Sequence, residues 1–136
     1  MIGHAKVTWS VDIVIEGDYP DPILEIRLPD GRAFSNGGPD LFECLLQLRK
    51  QQLDALEIRI ACNGSRRNAW ASGMSRDVSR GDVYLMTLGR DVTFDNLVRT
   101  FDPAPLEATS SARQQIRFNR LWIKSLQSQN SAPQEH

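Results

Sequence analysis

Residues 39–62 read PDLFECLLQLRKQQLDALEIRIAC, and this stretch decides the fold. On a 3.6-residue wheel Leu41, Cys44, Leu45, Leu48, Leu53 and Leu56 share one broad face. Glu43, Gln47, Lys50 and Asp54 share the other. That spacing predicts an amphipathic helix of about 16 residues. Pro39 suits its first position, and Asp40 suits the positive end of its dipole. The period then changes from 3.6 to two. Leu56, Ile58, Ile60 and Cys62 alternate with Glu57, Arg59 and Ala61, which predicts a strand. A helix with one apolar face that runs straight into a strand calls for a layered α+β fold.

Working outward, Val7, Trp9, Val11, Ile13 and Ile15 alternate with polar neighbours and predict a half-buried strand. Gly17, Pro20 and Pro22 break it. Leu24, Ile26 and Leu28 predict a second strand. Pro29-Asp30-Gly31-Arg32 predicts a turn, with Gly31 supplying positive φ and Ala33-Phe34 returning as a short strand. Asn36-Gly37-Gly38 reads as a flexible lead into the helix. Downstream, residues 63–81 show no clean period and read as a long polar loop. Asp82 to Leu88 is apolar on both faces, as a central strand would be. Asp95 reads as the cap of a short helix carrying Leu97, Val98 and Phe101, stopped by Pro103 and Pro105. A last helix runs from about Ser110 to Gln127, with Ile116, Phe118, Trp122, Ile123 and Leu126 on its apolar side. The expectation is one α+β domain over residues 1–127. It has a four- to five-stranded antiparallel or mixed sheet, two main helices packed on it, and a disordered polar tail over 128–136.

The chain has 136 residues and a formal charge of −1. That excludes a bulk polyelectrolyte made for nucleic acid or an anionic membrane. The charge is uneven: residues 1–48 sum to −5 and residues 49–136 to +4. Two cysteines, Cys44 and Cys62, are too few for a disulfide scaffold and read as small core hydrophobes. The start is not of the signal-peptide type, and no window approaches about 18 consecutive apolar residues. A cytoplasmic location and no membrane contact are expected.

Chemistry-bearing motifs are sparse. The histidines, His4 and His136, lie near the ends, so no metal site is expected, and no cofactor either. No phosphate loop, dinucleotide fingerprint or Gly-x-Ser-x-Gly occurs. Carboxylate-only acid/base chemistry stays open, but binding is the expected role rather than catalysis.

Two surfaces stand out as candidates. The first is the loop after Cys62, through Arg66, Arg67, Trp70, Arg76, Asp77 and Arg80. Its arginines and the amides near Gly64 suit an anion such as phosphate, which would make a small ligand-binding domain or enzyme. Trp and Arg together equally suit a protein-binding hot spot. The plainer alternative is that Trp70 and Met74 tuck the loop onto the sheet, with the arginines solvated or paired to Asp77 and Asp82. The second surface is the acidic group Asp12, Glu16, Asp18 and Asp21, which suits a basic partner such as a nuclease cleft. Arg113, Arg117, Arg120 and Lys124 form a basic stripe on the last helix. It reads as a solvated face, a contact for an acidic partner or a phosphate-tracking row. Aromatic residues do not interleave it, which disfavours single-stranded nucleic acid.

Cys62-Asn63-Gly64-Ser65-Arg66 and Ser72-Gly73-Met74-Ser75-Arg76-Asp77 resemble a pattern found in small bacterial proteins of about this length. Asp82-Val83-Tyr84-Leu85 and Leu97-Val98-Arg99-Thr100-Phe101-Asp102 fit the same pattern. Some of those proteins look like cytosolic immunity proteins encoded beside secreted toxins, including contact-dependent inhibition systems. The resemblance implies a non-enzymatic inhibitor whose partner is one cognate toxin domain. The chain departs from the glycine-rich form expected after Asp77, having Val78-Ser79-Arg80-Gly81 instead.

Overall fold

A computed structural model describes residues 10–17, 21–71 and 82–130, with side chains as far as residue 127. Strands β1 (Asp12–Glu16), β2 (Ile23–Arg27) and β3 (Ala33–Gly37) form an antiparallel meander in that order. Register puts Ile13, Ile26 and Phe34 side by side, and Ile15 beside Leu24. Leu24 and Ile26 are fully buried, so this is the inner face. The β2–β3 connection follows the turn chemistry. Gly31 sits at φ +95°, its N–H donates to Leu28 O at 3.1 Å, and the Leu28 N–H donates to Arg32 O at 2.8 Å. That is a three-residue hairpin loop with glycine in the position that demands positive φ.

Helix α1 (Leu41–Leu48) starts two residues later than expected. Asp40 is itself the cap, accepting from the Glu43 N–H at 2.9 Å, and Pro39 stays outside. The helix is buried on two sides. Cys44, Leu45 and Leu48 pack against Leu24, Ile26 and Leu28 in one core. Phe42 and Leu46 pack against Ala69, Ala71, Val83 and Ala112 in another.

The α-helix is also shorter than the expected run to about residue 55. After Leu48 it widens into a π turn over Arg49–Leu53, where the Asp54 N–H reaches back to Arg49 O. It then tightens over Asp54–Leu56. The wide turn brings Arg49 and Leu53 inward together, and Leu56, expected in the core, stays 49% exposed. Glu57 closes the segment in the left-handed region at φ 56°. Its N–H donates to Asp54 O and the Ile58 N–H donates to Leu53 O, both at 3.1 Å, a Schellman closure with a non-glycine residue at its centre.

Ile60 and Cys62 point inward and Arg59 and Ala61 outward, as the alternation predicts. The expected ladder does not form. Among the described residues only the single bridge Cys62–Pro103 pairs this segment with another. The following residues are stitched irregularly to 100–110: Gly64 N–H to Thr100 O, Arg67 N–H to Ala108 O, Ser110 N–H to Ser65 O.

A second antiparallel sheet runs β4 (Ala69–Trp70), β5 (Asp82–Leu85) and β6 (Leu97–Arg99), with β5 central as expected. The short helix expected at 95–101 is a capped turn followed by β6. Thr93, not Asp95, is the cap, with the Asn96 side chain returning to the Thr93 N–H. One turn is too short to propagate, and Leu97 and Val98 gain more by pairing with Tyr84 and Val83. The strands therefore divide between two three-stranded sheets rather than one larger sheet. Helix α1 demands this, because each of its apolar sides needs a surface to cover it.

Helix α2 (Ala112–Asn130) begins in a reciprocal cap. The Gln114 N–H donates to Ser111 Oγ and the Ser111 N–H to Gln114 Oε1, both at 3.2 Å. Asp54 Oδ2 accepts from the Ala112 N–H at 2.9 Å, a carboxylate at the positive helix end. The helix continues past Gln127 to Asn130, three residues into the stretch expected as a tail, and residues 131–136 lie outside the described residues. Its innermost residues are Ala112, Gln115 and Asn119. The apolar side expected from the sequence is mostly a half-buried flank, and Ile123 is 43% exposed.

Gln115 is polar at the centre because it meets Arg49, which is 2% exposed. Arg49 Nη1 donates to Gln115 Oε1 at 2.6 Å and Nη2 to Ser110 O at 2.8 Å. Gln115 Nε2 donates to the carbonyls of Gly64, Arg66 and Ala69 at 2.8, 2.8 and 3.0 Å. This hub joins α1, α2 and the 64–69 segment.

Candidate functional site

The 62–71 segment is held rather than displayed. Trp70 is half-buried and meets Phe42 edge-on, with ring centroids 5.2 Å apart at 68°. That contact anchors β4 on α1. Arg66 is half-buried and its Nε donates to Asn63 Oδ1 at 2.8 Å. Arg67 is exposed, with its guanidinium 5.4 Å from the Phe118 ring centroid on α2. The five amides from Asn63 to Arg67 all donate to protein carbonyls. None is left to form the anion cradle that the glycine suggested. Arg76, Asp77 and Arg80 lie outside the described residues, as does Met74.

The acidic candidates fare differently. Asp12 and Glu16 are four apart on β1, so they share one face, and both are exposed. Register adds Glu25 and Arg27 of β2 to that face, opposite Val14 and Asp12. Arg27 pairs with Glu25. Among the described residues Asp12 and Glu16 have no ion-pair partner. Ile23 on the same face is 48% exposed beside Glu16. Ala33, Ser35 and Gly37 on β3 add little bulk. Among the described residues this outer surface carries three carboxylates and one engaged cation, with Glu25 at its centre beside Val14 and Ile23 at the Glu16 end. Asp21 is exposed just before β2, and Asp18 lies outside the described residues. Strand register places Glu25 on the same face, opposite Val14.

Both cysteines are buried and free. Burial, helped by the negative charges of Asp40 and Glu43, pushes the Cys44 thiol up to about 11. Burial also pushes Cys62 up. Neither is a nucleophile at neutral pH. Desolvation brings Arg49 down to about 10, so it remains a cation at neutral pH, spent on internal acceptors. Among the described residues no group of three His, Cys, Asp or Glu side chains is assembled to hold a metal ion. No helix among them is long and apolar enough to cross a membrane.

No protein-family model matches the chain, and no curated protein matches it either.

Proposed function

We propose that this chain is a cytoplasmic, non-enzymatic binding protein, an immunity protein that neutralises a bacterial toxin by covering its active site. The observation that carries this reading is the outer face of the first sheet. Asp12 and Glu16 stand exposed on it with no ion-pair partner among the described residues, with Val14 between them, Glu25 opposite Val14 and Ile23 opposite Glu16. Carboxylates held about 13 Å apart along one strand suit a cleft whose own cations must bind phosphate or another anionic substrate. Complementary potential speeds encounter and rejects wrong partners, while the exposed isoleucine supplies contact area. Backing by α1 keeps the face rigid, so little ordering cost falls on binding. The 62–71 segment serves mainly to build the second sheet in this reading.

The test begins at the neighbouring reading frame. Its C-terminal domain is expressed in a bacterium with and without this chain. Protection by the wild type, and its loss in Asp12→Lys/Glu16→Lys, is the expected pattern. A toxic domain that the wild-type chain fails to neutralise contradicts the proposal. Equal protection by the charge-reversed chain moves the contact off this face.

A further inference from the structure

We infer that the basic face of α2 docks on the acidic sheet face of a second copy of this chain, head to tail. Arg113, Arg117, Arg120 and Lys124 are all exposed on one side of α2, away from Ala112, Gln115 and Asn119. None of the four has an ion-pair partner among the described residues. Leu121 and Ile123 flank the stripe at 51% and 43% exposure. A merely solvated helix face has little use for two large apolar side chains beside its charges.

The sheet face offers the complement. Among the described residues it carries Asp12, Glu16 and Glu25 around Val14 and Ile23, with Arg27 as the one cation. The dimensions agree as well. The stripe from Arg113 to Lys124 spans about 16 Å at helical rise. The row from Asp12 to Glu16 spans about 13 Å at strand rise. One molecule cannot bring the two surfaces together. The inner side of the first sheet lies on α1, and the inner side of α2 lies on β4 and the Arg49 turn, so both charged faces point outward. The contact therefore forms between copies. It pairs two different surfaces, so it adds copies in a chain or closes a ring. The same sheet face serves the proposed toxin contact, and a bound toxin would displace the second copy. Self-association is nevertheless read on this chain alone, so either proposal can fail without the other.

Sedimentation velocity on the full chain tests it, at about 20 mM and about 500 mM salt, where screening differs strongly. The expected result is a mass that rises with concentration at low salt and returns to monomer at high salt. Asp12→Lys/Glu16→Lys and Arg117→Glu/Arg120→Glu should each be monomeric at low salt, since each gives both faces one sign. Mixing the two variants should restore association, and so should combining all four changes in one chain. A wild type that stays monomeric at low salt overturns the inference. So do reversals that leave association unchanged, or a mixture that stays monomeric. A monomeric wild type that shifts a short DNA duplex would instead assign the stripe to phosphate.

Discussion

Replacing Gln115 by leucine probes the joint that holds the Arg49 turn, α2 and the 64–69 segment together. Gln115 is fully buried and accepts from the Arg49 guanidinium at 2.6 Å while donating to three carbonyls. Leucine fills similar volume but removes every one of these bonds. Loss of a hydrogen bond to a charged group costs about 1.5–3 kcal/mol, and a buried carbonyl left short of a donor costs about 1–3 kcal/mol. Arg66 O keeps the Ala69 N–H and Gly64 O keeps Arg49 Nη1 at 3.4 Å, so the carbonyl penalty is partial. The expected destabilisation is about 3–5 kcal/mol, a large share of the ~5–15 kcal/mol typical of a domain.

The second half of the test uses Arg49. Desolvation already disfavours its cation, which is why it is held down to about 10. With Gln115 present, Arg49→Met trades that desolvation for unmet acceptors and should cost about 1–3 kcal/mol. In the Gln115→Leu background the cation has lost its shortest acceptor. There Arg49→Met should cost at least ~1 kcal/mol less, or even stabilise. Urea unfolding followed by far-ultraviolet circular dichroism and tryptophan fluorescence measures all four proteins. The reasoning fails if Gln115→Leu lies within about 1 kcal/mol of wild type. Additive single-site costs refute it equally.

Gly64→Ala should destabilise by about 1–3 kcal/mol in the same assay. A Cβ there would sit 2.5 Å from Thr100 Cγ2 and 2.8 Å from Leu45 Cδ2, and a neutral substitution would mean this approach is looser than described. Glu57→Gly should raise stability by roughly 0.5–1 kcal/mol, because glycine occupies the left-handed region without the Cβ penalty. A lower midpoint would show that the Glu57 side chain is needed. The native thiols should resist Ellman's reagent at pH 8 and react only after unfolding, and rapid native labelling would contradict their burial. The Cys44 thiol is raised in the folded state, so it favours folding fully below the unfolded value of 9.0. That advantage fades as pH rises from there through about 11, so the stability gap between wild type and Cys44→Ala should shrink over that window.

Local features were legible because neighbouring residues encode them. Alternation marks Ile13 and Ile15, then Leu24 and Ile26, and Gly31 marks its own turn. Asp12 and Glu16 sit at even spacing on a strand, so their shared face could be read at once. The second apolar side of α1 was also written in the sequence. Leu41 to Leu48 has only Glu43 and Gln47 as polar residues, and Phe42 and Leu46 form a ridge of their own. A one-faced helical template hides it. Leu97-Val98 suits a strand or a helix until β5 supplies a partner. Arg49 and Gln115 are 66 residues apart, and no periodicity links them. The division into two sheets is non-local in the same way, since pairing depends on which side of α1 each strand must cover.

The most direct measurement tests the proposed partner: the affinity for this chain of the C-terminal domain encoded by the neighbouring reading frame, taken by calorimetry at about 50 and about 300 mM salt. Wild type should bind, more weakly at the higher salt. Asp12→Lys/Glu16→Lys should bind at least ~100-fold more weakly, with its fold intact by circular dichroism. Equal affinities for the two proteins would place the docking face elsewhere.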